Sequence, residues 1–404
     1  MTSSRDRRLA AGLMIGAFAW AAPSAAALTV LIPAKLATIT PDGKVETLAL
    51  VTVVGSLTAL AAAIGFGTLS DRTRTRFGKR APWMLAGALV AGVALLLLSM
   101  AENVGAIVAF WILFQAALNA LIAPLKALLA DRVASERLGR VSAVYGAATL
   151  IGFAIGVVAG ALFVAHPDDG LRFAAIVIVV LPWASVLLVR EASNRNDVPA
   201  NTGLSAVLAA LLPPRNAPDF YWALGGRFGV MLGASMITTF QLYILTDYAG
   251  LGLEEAGRIV GVGAVLHLVA SIVGSLISGI ASDLLRRRRV LVFAASLLMA
   301  AAMVVPFLIP TGWAMLVYAC LVGLGMGVYF AVDVALMTEV LPDASTRSRD
   351  LGILNISNTA GSSLGPGLSS LVVGASLGFG AVFLVAMAFT IVGGLSTWKI
   401  RSVR

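Results

Sequence analysis

Apolar runs of about twenty residues, each closed by a short polar break, repeat along the whole chain. Twelve can be marked, at about 9–33, 47–69, 82–101, 104–130, 139–165, 171–190, 219–247, 255–281, 290–310, 312–341, 350–375 and 379–398, each close to the ~20 residues that a helix needs to cross a bilayer core. A membrane-spanning strand needs only about half that length, and lipid admits no spanning backbone except helices and closed barrels. The pattern therefore predicts an all-α membrane protein of twelve transmembrane helices.

The one long polar break runs from Glu191 to Pro218 and holds Asn194, Asp197, Pro199, Pro213 and Pro214. It splits the helices six and six. This predicts an N-terminal six-helix bundle over 1–190, a cytoplasmic linker over 191–218 and a C-terminal six-helix bundle over 219–404. Within the linker, Leu204 to Leu212 is apolar enough to lie along the membrane surface. A polar signature occurs twice: Gly67, Ser70 and Asp71 before a cationic cluster ending at Arg80, and Gly279, Ser282 and Asp283 before Arg286 to Arg289. Asp71 and Asp283 lie 212 positions apart, as do Asp131 and Asp343, and Arg137 and Arg349. One register kept through an otherwise apolar chain implies two pseudo-symmetric halves, the mark of a duplicated secondary transporter.

Composition adds little to the class but fixes the orientation. Apolar residues make up 59% of the chain and charged ones 12%, where soluble domains carry about 25% charged. With the N-terminus in the cytoplasm, 23 Lys and Arg residues fall on inner segments and four (Lys35, Lys44, Arg172, Arg258) on outer loops. That asymmetry places both termini in the cytoplasm of a plasma (inner) membrane protein. It also explains the net charge of +9 through anionic lipid headgroups, without nucleic acid. The first apolar run is too long for a signal-peptide core of about 7–15 residues, so it is expected to remain as the first helix. The single Cys320 permits no disulfide, and no cofactor or metal motif is present.

Twelve helices, the six-plus-six split and the doubled loop resemble the major facilitator superfamily, whose signature between helices two and three is matched at Gly67, Asp71, Arg72, Gly78 and Lys79. Within it, the stretch from Ser70 to Trp83 is similar to the glycoside–pentoside–hexuronide symporters and the sucrose–proton carriers, except that Ala81 stands where they often have a basic residue. The resemblance implies that helices one, four, seven and ten line a cavity. It also implies a cytoplasmic gate in which Asp71 contacts the start of helix eleven and a nearby Arg, and Asp283 acts likewise toward helix five. Gly67, Arg72, Asp131, Arg137, Asp343 and Arg349 complete the gate set, with Arg137 and Arg349 the candidate partners. The alternative is a solvated loop that only sets topology.

Intramembrane charges are functional candidates because each costs at least a few kcal/mol. Arg227 and Asp333 each lie about eight residues, or ~12 Å, from the cytoplasmic end of helices seven and ten. Equal depth suits an ion pair, with a coupling role or a static bridge as the two readings. His267, mid-helix eight, is a further proton-relay candidate or a neutral group bonded to a neighbouring helix. Gln115, Asn119 and Lys126 share a face of helix four, as do Arg227, Thr238 and Gln241 on helix seven. With Trp20 and Tyr329 they would suit an uncharged, hydroxylated ligand. Gly152, Gly156 and Gly160 on helix five, and Gly361 and Gly365 on helix eleven, read as close helix packing. Gly323, Gly325 and Gly327 lie inside a helix and not after a strand, so they are packing residues too.

These features predict a secondary active transporter, not an enzyme, moving a small polar solute such as a sugar or glycoside as a monomer. Proton coupling is expected. Sodium is disfavoured, because sodium-binding members of the resembling family use acids on helix two and Val51 to Leu69 contains none. The alternative is a proton-driven exporter of amphipathic or toxic compounds. Against it, the glycine-rich fifth helix lacks the Gly-Pro pair of the superfamily's drug antiporters.

Overall fold

In the computed structural model the described residues are 4–133, 135–195, 214, 217–285, 288–340 and 347–400. Among them the chain is all-helical, with no strand. Helix α1 spans Ser4–Ala26 and passes through a π turn, Ala27–Leu31, into Ile32–Ile39. Then come α2 (Lys44–Arg72), α3 (Ala81–Ser99), α4 (Val104–Arg132), α5 (Ser135–Leu162) and α6 (Pro167–Val189). Helix α7 (Pro218–Thr238) breaks before Gln241–Tyr243 and a π turn, Ile244–Tyr248; α8 (Leu253–Leu285), α9 (Arg288–Leu308) and α10 (Gly312–Val340) follow. Helix α11 (Arg347–Val372) ends in a π turn, Val373–Leu377, where Ser376 (φ 62°) and Gly378 (φ 69°) turn the chain into α12 (Gly378–Ser396). Among the described residues ten helical runs are long and apolar enough to cross a membrane, α11 and α12 counting there as one; α7 joins them when its two bent parts are taken together.

The chain divides into two compact units, Met1–Thr202 and Gly203–Arg404. In the first, α1 packs on α5 and α6, α3 on α4 and α6, and α2 on α4. In the second, α7 packs on α11 and α12, α9 on α10 and α12, and α8 on α10. Adding six to every helix number of the first set yields the second. The repeat seen in the loop residues is thus a repeat of helix packing.

Packing in lipid gains little from expelling water, so helices must approach closely to gain dispersion contacts. The glycines allow this. A Cβ on Gly156 would stand 2.1 Å from the Ala22 carbonyl oxygen of α1, and one on Gly361 would stand 2.7 Å from the Phe228 carbonyl oxygen of α7. Likewise Gly323 and Gly327 lie against the His267 and Ser271 backbone of α8. Gly146, on the same helix as Gly156, has nothing within 4 Å of its Cβ position. Gly156→Ala should therefore overpack α5 on α1 at a cost of about 1–3 kcal/mol. Gly146→Ala should be neutral or gain up to about 1 kcal/mol in helix propensity. Thermal unfolding midpoints of the purified variants in detergent check the contrast.

Two expectations are corrected. Lys35, expected in an outer loop, lies within the helical tail Ile32–Ile39 and is buried, its Nζ 2.5 Å from Asp168 Oδ1 and 2.9 Å from the Ser99 carbonyl oxygen. Two acceptors at neighbouring helix ends let the ammonium stay inside, so the helix continues past it. Helix seven is also not continuous: its two parts are bent by 49° about Thr239 and Phe240. Helical spacing from Arg227 therefore does not carry across to Gln241.

Candidate functional site

The charges at equal depth in the second half meet. Arg227 Nη1 lies 3.2 Å from Asp333 Oδ2, with the two side chains 10% and 1% exposed. The contact neutralises the charges without completing the hydrogen bonding: Arg227 Nε and both Asp333 oxygens are buried with no hydrogen-bond partner among the described residues. Tyr329, one turn before Asp333 on α10, is also buried. Its ring meets Phe330 edge-on.

The other residues predicted in this half are more dispersed. His267 lies where α8 and α10 come closest, its backbone against Gly323. Thr238 is exposed at the end of the first part of α7 and donates to the Ala234 carbonyl oxygen at 3.1 Å. Gln241 is half-buried beyond the bend.

In the first half, the Trp20 indole N–H donates to the Tyr145 hydroxyl at 3.3 Å, and its ring meets Phe153 edge-on. Asn119 is buried and donates to the Gln115 carbonyl oxygen at 2.9 Å. Gln115 is half-buried and Lys126 exposed, so the polar stripe on α4 runs from covered to open.

The loop between α2 and α3 is built around Arg80, which is 3% exposed. Its Nη2 lies 2.6 Å from Asp71 Oδ1 and 3.0 Å from Asp131 Oδ2, while Nη1 donates to Ser70 Oγ at 2.6 Å. Lys79 Nζ stands 2.9 Å from the same Asp131 oxygen. One guanidinium thus ties the end of α2, the start of α3 and the end of α4. The sequence offered Arg137 and Arg349 as partners for Asp71. Within its own half the partner is Arg80, because the turn at Gly78 (φ 89°) folds the loop back over the end of α2. Arg72 and Arg137 are exposed, and a Cβ on Gly67 would meet nothing within 4 Å. Asp343 and the side chains of Asp283 and Arg349 lie outside the described residues, as does most of the predicted linker.

Two residues beyond α6 complete this loop. Glu191 Oε2 accepts from the backbone N–H groups of Arg80 and Ala81, at 2.8 and 3.0 Å, placing a carboxylate on the unpaired amides that open α3. Asn194 accepts from the Thr75 N–H at 3.1 Å, donates its amide to the Thr73 carbonyl at 2.8 Å, and donates its own N–H to the Thr75 carbonyl at 3.3 Å. Arg80→Gln should remove charged hydrogen bonds worth about 1.5–3 kcal/mol. The expected result is a lower unfolding midpoint and faster tryptic cleavage at Arg74 and Arg76.

Two units of repeated helix packing, a charged loop ordered around Arg80 after α2 and a buried ion pair in the second unit fit a membrane transporter. The chain belongs to the Major Facilitator Superfamily, whose model matches residues 9–274 and 224–403. Its fold is similar to that of a bacterial homolog of the human lysosomal transporter Spinster, crystallised inward-facing and unoccupied (14% identity, TM-score 0.73, covering 99% of each chain). It is also similar to the nucleoside transporter NupG (15% identity, TM-score 0.74, covering 97% of this chain and 99% of that one) and to a D-xylose–proton symporter (14% identity, TM-score 0.74, covering 98% of each). At such identities the likeness is one of fold.

Proposed function

We propose that this protein is a proton-coupled secondary transporter of a small, uncharged, hydroxylated solute, a sugar or glycoside, working by alternating access. The observation that carries the reading is the Arg227–Asp333 pair: buried, electrically neutral as a unit, and short of hydrogen-bond partners among the described residues. A pair serving only to hold two helices would be replaceable by apolar side chains at no loss. The loop resemblance to glycoside and sucrose symporters supports the solute class, and so does a fold shared with a D-xylose–proton symporter and a nucleoside transporter. In this reading the bundles 1–190 and 219–404 move about the linker 191–218, and both termini face the cytoplasm of the plasma (inner) membrane. The Arg80-centred loop is one part of a cytoplasmic gate, with Gly67, Asp71, Arg72, Asp131 and Arg137 in the first half and Asp283, Asp343 and Arg349 in the second.

A second reading, export of amphipathic compounds, is favoured by one feature of the first half. An apolar hollow of about 320 Å³ lies between α1, α5 and α6, lined by Phe18, Pro23, Ile155, Phe163 and Phe173 among others. Proteoliposomes loaded at one pH and diluted into another separate the two. Radiolabelled sucrose, melibiose, D-xylose and uridine test the first, and a lipophilic cation such as tetraphenylphosphonium tests the second. Gradient-dependent uptake of a hydroxylated solute is expected; transport of the cation alone would overturn the proposal.

A further inference from the structure

The second half changes character over one helical turn. Phe220 and Ala223 of α7, Leu336 and Met337 of α10, and Ile353 and Leu354 of α11 form one apolar cluster at the end where α7 and α11 begin. Residues four apart share a helix face. The next layer inward on these faces therefore holds Arg227, four after Ala223; Asp333, three before Leu336; and Ser357 and Asn358, four after Ile353 and Leu354. Helices α7 and α11 touch backbone to backbone at this level, with Gly361 against the Phe228 carbonyl.

The polar atoms of this layer are not equally satisfied. Ser357 Oγ donates to the Leu354 carbonyl oxygen at 2.6 Å. Arg227 Nε, Asp333 Oδ1, Asp333 Oδ2 and Asn358 Oδ1 are each buried with no hydrogen-bond partner among the described residues. A fold keeps several such atoms at one level, from three helices, only against a free-energy cost for each. A ligand that completes them removes that cost.

We propose that Asn358 of α11 joins Arg227 and Asp333 in one binding site, and that the site takes a vicinal diol of a neutral polyol or sugar. The inference rests on the reading of Arg227–Asp333 as a transport site and adds a third helix and a recognised group. The chemistry selects the class. Opposite charges cancel within the pair, so an ion gains no net attraction. The unmatched atoms are one donor (Arg227 Nε) and three acceptors (Asp333 Oδ1, Asp333 Oδ2 and Asn358 Oδ1), and a hydroxyl both donates and accepts. Two adjacent hydroxyls can accept from Nε while donating to Asp333 and Asn358.

The test uses the full chain purified in detergent, with Asn358→Leu as the variant. Because Asn358 Oδ1 has no partner to lose, Asn358→Leu should hold or raise the thermal midpoint. It should also weaken binding of tritiated sucrose, melibiose, D-xylose or uridine, whichever the wild type binds, about tenfold or more. A fall in midpoint would show a structural asparagine and overturn the inference. Unchanged binding by Asn358→Leu, where the wild type binds one of these probes, would overturn the inference alone. Wild-type protein that binds none of these hydroxylated probes would overturn both the diol site and the solute reading beneath it.

Discussion

Asp333→Asn is expected to abolish accumulation of solute against its gradient while leaving exchange of labelled for unlabelled solute across the membrane. The carboxylate sits 3.2 Å from Arg227 Nη1 and is 1% exposed, so its charge state and the ion pair are linked. If Asp333 carries the coupling proton, protonation frees the arginine, and the freed and paired forms favour different conformations of the carrier. An amide is fixed in the neutral form and cannot exchange a proton, so one step of the coupled cycle is lost while solute passage remains. Uptake driven by an imposed pH difference should fall to the level of passive equilibration. Counterflow should stay within a few-fold of wild type. Asp333→Leu is a harsher change. It strands the guanidinium without a counter-charge, at a cost of about 3–5 kcal/mol, and should reduce folded yield.

Gly78→Ala should produce the largest local effect in the first half. Gly78 has φ 89°, a region that costs an L-residue about 1–2 kcal/mol. A Cβ there would also stand 2.3 Å from the Glu191 carboxyl carbon. To make room, Glu191 must leave the amides of Arg80 and Ala81, which forfeits a helix cap worth about 0.5–2 kcal/mol. The loop holding Asp71 against Arg80 then loses both its turn and its anchor. A lowered unfolding midpoint and rapid trypsin cleavage after Arg74 and Arg76 are expected. Gly65→Ala, where a Cβ meets nothing within 4 Å, should leave the cleavage rate unchanged and the midpoint the same or slightly higher.

Span length, the six-plus-six split and the packing glycines are readable in the chain because each depends on local spacing. A bilayer sets helix length, and a stripe such as Gly152, Gly156 and Gly160 has few uses other than close contact. The level of Arg227 and Asp333 is also a matter of counting residues from a membrane face. The Arg80 network is different. Glu191 reaches Arg80 and Ala81 across more than a hundred residues, and nothing in its own neighbourhood separates it from a solvated linker acid. The break in α7 carries no signal either, since Thr239 and Phe240 are neither glycine nor proline. Asn358 is one of several polar residues near the start of α11. Only the register with Leu354 and the unpaired carbonyl oxygen set it apart.

In the proposed transport cycle the Arg227–Asp333 pair works in coupling and is not a static clamp. The double variant Arg227→Met, Asp333→Leu tests it most directly, because it removes both charges together and leaves neither stranded. We expect this protein to fold and insert with a midpoint near wild type, yet to show no pH-driven uptake of the transported solute in proteoliposomes. Full, pH-dependent uptake by the double variant would contradict the account and leave the pair a helix-to-helix bridge.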